Sequence, residues 1–214
     1  MSIYSSRPNL MIGFHGCDEA VRDALVNDPN EIKISTKPYD WLGNGFYVWE
    51  NNYSRALKWA EDKKRRGSLI NPSVVGVMYQ LEHCLDFSDS KYTDILAQYY
   101  ESLKYEFREA GDSLPQNKGL PTDEYHDLVI RNLDCAVIEY IHKEIDREIA
   151  EDISNKGFSE YKPFDTVRGI FTEGGPAFEG AGIQAKSHIQ ICIRNFNCIK
   201  GFFIPRKETR FPRS

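Results

Sequence analysis

The chain has 214 residues, of which 41% are hydrophobic and 28% charged, so it has the composition of a globular protein able to bury one sizeable core. Its net charge of −5 argues against a nucleic-acid binder that works through overall positive charge, although local basic clusters are present. The sequence contains neither a run of 18 apolar residues nor a signal-peptide pattern, so we expect no membrane contact and a cytoplasmic location.

The five cysteines are scattered along the sequence and show neither metal-site spacing nor a disulfide framework. No pair has the Cys-x-x-Cys pattern. We therefore predict buried, reduced thiols and no bound metal. The residues are Cys17, Cys84, Cys135, Cys192 and Cys198.

The first predicted element is a buried strand over residues 9–14, which ends in His15-Gly16. A helix is predicted from Asp18 to Val26, because aspartate is a favoured N-cap and apolar residues recur behind it at helical spacing. The connection over residues 27–42 contains two prolines, so we predict a loop with at most one short strand.

The stretch from Tyr39 to Ala60 carries the strongest local signals in the sequence. Two glycines flank Asn44, and the aromatic run 46–49 that follows predicts a short buried strand. Apolar residues then recur at i, i+3, i+4 and i+7, which predicts a helix with its N-cap near Asn52 or Ser54. Glycines before a strand indicate either a tight turn or a ligand close to the backbone, and the pattern alone leaves both readings open.

The predicted helix ends in a basic cluster from Lys63 to Arg66, where the helix macrodipole favours cations. Such a cluster is typical of a solvated helix end, and the alternative is a contact with phosphate or nucleic acid. Residues 73–81 are apolar on both faces, which predicts a central strand.

From about residue 83 to 162 the sequence changes to long charged segments with helical periodicity. Helices are predicted from Thr93 to Ala110 and from Thr122 to about Ser154, with a turn-rich linker between them. We interpret this block as a helical insertion.

Strands are predicted again at residues 166–171, around 186–195 and at 198–204. The segment 186–195 alternates polar and apolar residues, as expected for a half-buried strand. A glycine-rich loop precedes it, and the basic tail over residues 205–214 is expected to be poorly ordered. The prediction is therefore an α+β fold, with one domain over residues 1–214 and the insertion at about 83–162.

Motifs of phosphate-binding loops, zinc proteases, serine hydrolases and kinases are missing from the sequence. The remaining combination resembles the ADP-ribosyltransferase superfamily, in the branch of diphtheria toxin and the poly(ADP-ribose) polymerases. The resemblance covers roughly residues 10–81 and 165–204 and rests on three motifs. They are a strand ending in His15-Gly16, the run Gly43-Asn44-Gly45-Phe46-Tyr47 leading to a helix that contains Trp59, and a late strand with Gln190 where the family has its catalytic glutamate.

The resemblance implies an ADP-ribosyltransferase-like split antiparallel β-sheet core that binds NAD⁺ as a substrate and needs no metal. His15 would bond the ribose beside nicotinamide, the Gly16 backbone would pair with the carboxamide, and Tyr47 and Trp59 would enclose the nicotinamide ring. Residues 32–42 would cover the adenosine end. The implied NAD-binding residues are His15, Gly16, Gly45, Phe46, Tyr47 and Trp59.

Each of these residues also has a purely structural interpretation. A histidine after a strand is often a satisfied structural group, and aromatic residues in a strand or on a helix face often belong to a core.

The glutamine in the third motif is the main departure from the family pattern. Glutamine can bond a ribose hydroxyl but cannot act as a carboxylate. Three outcomes are open: Gln190 positions the ribose, a loop glutamate supplies the carboxylate, or transfer activity is lost. We expect an active enzyme, with Tyr47 and Gln190 as catalytic residues and Glu179 as the second choice for the carboxylate position, Glu173 being the other loop glutamate.

The leading functional hypothesis is a mono-ADP-ribosyltransferase that modifies a protein or an RNA. By resemblance alone, a small transferase of this kind fits the toxin of a bacterial toxin–antitoxin or phage-defence system, with an antitoxin protein as a further partner. The alternatives are a catalytically silent NAD- or ADP-ribose-binding module and a helical interaction scaffold.

Overall fold

The structure is a computed structural model that describes residues 6–121 and 123–206. Within them, four α-helices and a mixed sheet of six strands confirm the α+β class, and two further strands form a small hairpin. The strands are β1 (Ser6–Asp18), β2 (Phe46–Glu50), β3 (Pro72–Asp86), β4 (Asn117–Lys118), β5 (Ile130–Arg131), β6 (Thr166–Phe171), β7 (His188–Ile193) and β8 (Ile199–Phe203), and the helices are α1 (Glu19–Asn27), α2 (Tyr53–Arg65), α3 (Ser90–Ala110) and α4 (Asn132–Lys156).

Five strands of the main sheet close into a ring. The strand order is β1-β2-β7-β6-β3-β8. Strand β1 also pairs with β3, and this pairing closes the first five strands of the order into the ring. The long strand β3 makes this possible, because most of it pairs with β1 whereas residues 84–86 pair with β6. The β3–β6 pairing is parallel and the other pairings in this sheet are antiparallel, so the sheet is mixed, whereas the resemblance implied an antiparallel core.

The first two helices begin at the caps that the sequence indicates. The Asp18 carboxylate accepts the backbone N–H of Ala20 at the start of α1, and Asn52 Oδ1 accepts the N–H of Arg55 at 3.0 Å at the start of α2. The last turn of α2 carries three cations, where the helix macrodipole favours them.

The second long helix starts later than predicted. Residues 117–131 hold the β4–β5 hairpin, and α4 begins only at Asn132. Its first turn is capped from a distance, because Asn117 Oδ1 accepts the N–H groups of Leu133 and Asp134. A cap supplied from outside the helix leaves no local signal in the sequence. Residue 122, where the helix was predicted to begin, and the tail from residue 207 lie outside the described residues.

Strand β7 is buried on both faces, so its prediction as a half-buried strand is wrong. Ile191 and Ile193 face the ring interior, whereas Cys192 packs on the other face against Leu42 and Ile138, the latter from α4. Helix α4 covers the face that the alternating pattern left for solvent.

All five cysteines are buried and free, which confirms the prediction of reduced thiols. Burial raises the pKa of the thiols, to about 11 at Cys17 and about 12 at Cys198. None of the helices in the described part of the chain combines the length and the apolar character needed to cross a bilayer.

A charged cluster lies where β2, β3 and β6 come together. Arg168 of β6 donates to both carboxylate oxygens of Glu50, at 2.7 and 3.0 Å, and to Asp86 at 3.2 Å. The three side chains are only 16%, 17% and 7% exposed. The arginine therefore links two strands, β2 and β6, that are not hydrogen-bonded neighbours in the sheet.

The glycine loop before β2 is fastened to α4. Glu139 accepts the backbone N–H and the side-chain Nδ2 of Asn44, both at 2.8 Å, and forms an ion pair with Arg194 after β7. Gly43 has a φ of +81°, a backbone conformation that favours glycine, and a Cβ there would come close to the Glu139 carboxylate. Helix α4 thus positions the glycine loop before β2.

Candidate functional site

His15 lies where β1 and β2 separate. The two strands pair at only two positions, Gly13–Glu50 and Phe14–Trp49, and beyond them His15 Nδ1–H donates to the carbonyl oxygen of Tyr47 at 2.7 Å. A carbonyl can only accept, so in the neutral ring the other nitrogen, Nε2, is an acceptor. Burial lowers the pKa of His15, which keeps the ring neutral at pH 7.

Helix α2 crosses β1 directly at Gly16. A Cβ at this glycine would overlap the carbonyl oxygen of Ala56 and would lie 3.2 Å from the Trp59 ring. The Trp59 ring centre is 6.5 Å from that of His15. His15-Gly16 therefore lies against α2, and the absence of a side chain at Gly16 lets the backbones of β1 and α2 approach closely.

A row of rings runs across the face that β2, β6 and β7 present on this side. Trp49 is the residue directly opposite Gln190 in the β2–β7 pairing. Ring centres are 5.5 Å apart for Trp59 and Trp49, 6.2 Å for Trp49 and His188, and 5.3 Å for His188 and Phe171. We call these four rings and Trp41, which contacts Phe171 edge-on at 5.0 Å, the aromatic row.

Polar side chains accompany the aromatic row. Arg55 of α2 forms an ion pair with Glu173, which is 8% exposed and follows β6. Gln190 Oε1 accepts the indole N–H of Trp41 at 2.5 Å. The Arg131 guanidinium lies 4.2 Å from the ring centre of Phe171. Two arginines, one buried carboxylate and one amide therefore lie beside the row. The region between β1, α2 and the row is what we call the cleft.

Two donors beside the cleft have no acceptor among the residues that the structure describes. They are Trp49 Nε1 and Arg55 Nε, and both atoms are buried. Buried donors are nearly always bonded in proteins. A buried indole N–H and a buried guanidinium N–H that both lack an acceptor fit a ligand rich in acceptor oxygens.

Tyr47 does not face Trp59. Its hydroxyl donates to the carbonyl oxygen of Gly43 at 2.8 Å and accepts the N–H of Leu42 at 2.9 Å, and its ring packs against the cluster that includes Ile138 of α4. Burial raises the pKa of Tyr47, so the phenol stays protonated. The predicted enclosure of nicotinamide between Tyr47 and Trp59 is therefore not present, because α4 covers this part of the face and Trp49 is the ring beside Trp59.

Replacing Tyr47 with phenylalanine is expected to lower the free energy of unfolding by about 1–3 kcal/mol, because the N–H of Leu42 loses its buried partner. Urea unfolding measures the effect. Tyr39→Phe, at a side chain that is 47% exposed, is the matched control and should change little. An unchanged stability of the Tyr47 variant would contradict the holding role of the phenol.

The remaining predicted residues fall into two groups. Phe46 packs against the imidazole of His15 with 4.6 Å between ring centres, whereas Gly45 lies against Cys192 and Ile193, at the other end of β7 from the aromatic row. Glu179 lies exposed in the loop between β6 and β7. The structure therefore brings His15, Gly16, Phe46 and Trp59 together and leaves Glu179 in an exposed loop.

The stability of the protein is expected to fall in mild acid because His188 is buried. Burial lowers the pKa of His188 from 6.5 to about 4, so between these values the unfolded chain takes up a proton and the folded chain does not. The contribution is complete above pH 6.5 and is lost as the pH falls towards 4, by about 2 kcal/mol between pH 7 and pH 5. Urea unfolding at both pH values tests this, since His188→Phe should remove that part of the difference whereas His126→Gln, at an exposed site, should not.

Sequence reasoning missed Trp49, His188, Arg55 and the special position of Glu173. Period-two alternation places Trp49 on the face of Tyr47, and His188 on the face of Gln190. What the pattern cannot supply is the register that sets Trp49 opposite Gln190, since these residues are 141 positions apart. No group of three or more residues suited to binding a metal ion lies together in residues 6–121 and 123–206.

Comparisons with protein-family models, with curated proteins and with solved structures found no match to this chain.

Proposed function

We propose that this chain is an NAD⁺-dependent mono-ADP-ribosyltransferase whose site is the cleft between β1, α2 and the aromatic row. The observation that carries the proposal is the hydrogen bond from His15 to the carbonyl oxygen of Tyr47. This bond joins the strand that ends in His-Gly to the strand that follows the glycine loop. Two motifs 32 residues apart thus meet in the order and strand context that the resemblance implies, and the separation of β1 from β2 supports an ADP-ribosyltransferase-like core.

The polar groups of the cleft suit a bent dinucleotide. His15 Nε2 can accept a ribose hydroxyl, and the Gly16 backbone would pair with the carboxamide of nicotinamide, as the resemblance implies. Trp59 offers a ring face that already attracts a cation, because Lys63 Nζ lies 4.8 Å from its centre. A positively charged pyridinium ring has the same preference. We assign the stacking role to Trp59 with Trp49 beside it, and a structural role to Tyr47.

The charges of the cleft suit a pyrophosphate. Burial is the main cause of the lowered pKa of His188, and the hydrogen bond to the Lys186 carbonyl oxygen opposes it. The positive charges of Arg55 and Arg131 lower this pKa further. The unpartnered Nε of Arg55 and Nε1 of Trp49 would find acceptors in phosphate or ribose oxygens.

Glu173 is the better candidate for the carboxylate that the third motif lacks. It lies two residues beyond Phe171, the last residue of β6, which pairs with His188, and it forms an ion pair with Arg55 beside the aromatic row. The carbonyl oxygen of Glu173 also accepts the N–H of Lys186, which anchors the backbone beside β7. A buried carboxylate on this face can stabilise positive charge that develops on the sugar, whereas Gln190 can only orient a hydroxyl.

In the proposed reaction the bond between nicotinamide N1 and ribose C1′ breaks, nicotinamide leaves with the electron pair, and an acceptor nucleophile forms the new bond to C1′ and gives up a proton. Glu173 would stabilise the charge at C1′, and release from Arg55 would leave this carboxylate free to do so. His15 and Gln190 would hold the ribose. The acceptor is a protein or an RNA in the cytoplasm, and the biological setting that we propose is a toxin–antitoxin or phage-defence system.

The test is incubation of the protein with ³²P-labelled NAD⁺ and a cell lysate, followed by separate nuclease and protease digestion. Label in macromolecules supports transfer, and the digestions identify the acceptor class. A His15→Ala protein should label at least about 100-fold less, since it loses a hydrogen bond that orients the ribose in the transition state. No labelling in any lysate, with saturable NAD⁺ binding, would instead favour the silent NAD-binding module, for which the commitment of Gln190 to Trp41 is the supporting observation.

A further inference from the structure

A cavity of about 350 Å³ lies at the opposite end of β2 and β7 from His188. It is bounded by the glycine loop, by the end of β7, by α4 and by the segment that precedes β6. Its polar lining includes Asn44, His142, Asp146 and Arg194, and Phe164 forms an aromatic wall. None of these residues belongs to the cleft described above.

His142 has an unsatisfied group in this cavity. The side chain is 6% exposed, and its Nε2 atom is buried without a hydrogen-bond partner among the described residues. The ring meets Phe164 edge-on at 6.1 Å between centres. A buried imidazole nitrogen without a partner, in the wall of a cavity, is a feature that a ligand would satisfy.

The charges of the lining favour a ligand that donates hydrogen bonds and brings no negative charge into the cavity. Arg194 is already paired with Glu139 and donates to the carbonyl oxygen of Asn44 at 2.9 Å, but its guanidinium has five N–H groups and retains free donors. Burial lowers the pKa of His142 to about 3, so the imidazole is uncharged. Asp146, which is exposed, contributes a free acceptor at the rim. Asp165 is a second carboxylate of the lining, and its oxygens accept Nδ2 of Asn195 at 2.7 Å and the backbone N–H of His83 at 3.1 Å. Because Arg194 is paired with Glu139, the two aspartates leave the lining with a net negative charge.

We propose that this cavity binds a guanine base. A guanidinium pairs well with the O6 and N7 acceptors of guanine, and a carboxylate accepts from the N1–H and N2–H groups of its other edge. Arg194 and Asp146 supply these two groups, His142 fills the remaining position, and Phe164 provides the apolar wall for a planar ring. Adenine has an amino group in place of O6, and so pairs poorly with this arrangement.

The base can come from a free guanine nucleotide or from an unpaired position in RNA. The proposal does not rest on the ADP-ribosyltransferase function, because neither NAD⁺ nor the His15 cleft takes part. The two are therefore tested with different ligands, and the failure of one leaves the other standing.

Calorimetric titration of the full chain with GMP, AMP and UMP tests the proposal. We expect saturable GMP binding that is at least about 10-fold tighter than AMP binding, since one good paired edge is worth about 1–3 kcal/mol of discrimination. The ¹⁵N signals of the His142 ring should shift on GMP addition, a readout that a purely structural histidine would not give.

Asp146→Asn should weaken GMP binding by at least about 10-fold, because the amide replaces an acceptor of two N–H groups with one acceptor and one donor. Glu151→Gln, on the same helix and outside the cavity, is the matched control and should bind as the parent does. Equal affinity for AMP, no saturable GMP binding, or an unchanged Asp146→Asn protein would overturn the proposal. A short RNA with one unpaired guanine that binds more tightly than GMP identifies RNA as the source, and weaker binding identifies the free nucleotide.

Discussion

Replacing Glu173 with glutamine is expected to reduce the rate of ADP-ribose transfer by about 100-fold or more. Glutamine has nearly the same shape and keeps one acceptor for Arg55, but it lacks the charge that stabilises a developing cation on the sugar. Because the charge matters mainly in the transition state, the loss should fall on kcat, while KM for NAD⁺ should change little. Steady-state transfer of labelled ADP-ribose to the identified acceptor measures both constants.

Two comparison variants make this result specific. Glu61→Gln removes an exposed carboxylate from α2 and should transfer at the parental rate. Urea unfolding of the Glu173 variant separates a lost catalytic group from a lost fold. If Glu179→Gln abolishes transfer while Glu173→Gln does not, the carboxylate comes from the exposed loop and our assignment is wrong.

Replacing Arg168 with methionine should cost about 3–5 kcal/mol of unfolding free energy. The substitution keeps much of the side-chain volume but leaves Glu50 and Asp86 without their shared cation in a largely buried position. Removing one partner of a buried ion pair typically costs this much, because the remaining charges have lost both water and a counter-ion. The midpoint of urea unfolding, with the slope held as a check on two-state behaviour, measures the change.

Arg147 supplies the matched control for this experiment. It also bridges two carboxylates, those of Glu144 and Glu151, but it lies on the surface of α4 and is 52% exposed. Arg147→Met should cost far less unfolding free energy than Arg168→Met, since exposed ion pairs contribute little. Equal losses at the two arginines would show that the link across the ring contributes no more than a surface pair.

Local sequence patterns predicted the position of those helices and strands whose signals lie within the element itself. The caps at Asp18 and Asn52 and the strand over residues 166–171 are where the sequence places them, because capping oxygens and apolar periodicity act over a few residues. The start of α4 was missed, since its cap comes from Asn117 in another element.

The candidate site was predicted in part for the same reason. His15, Gly16 and Trp59 lie near one another, on elements that the local pattern defines. The direction of the Tyr47 ring depends on which face α4 covers, and the closeness of Glu173 to the cleft depends on strand register. Both depend on contacts between residues far apart in the sequence, which local sequence patterns do not reveal.

Because Glu139 of α4 holds the glycine loop, helices α3 and α4 cannot be removed without loss of a contact that positions this loop. A chain trimmed of residues 87–164 would retain every strand of the ring, yet Asn44 and Arg194 would lose the carboxylate that holds them. Any ancestral form without these helices therefore needed another anchor for this turn, and any miniaturised version will need one engineered in its place.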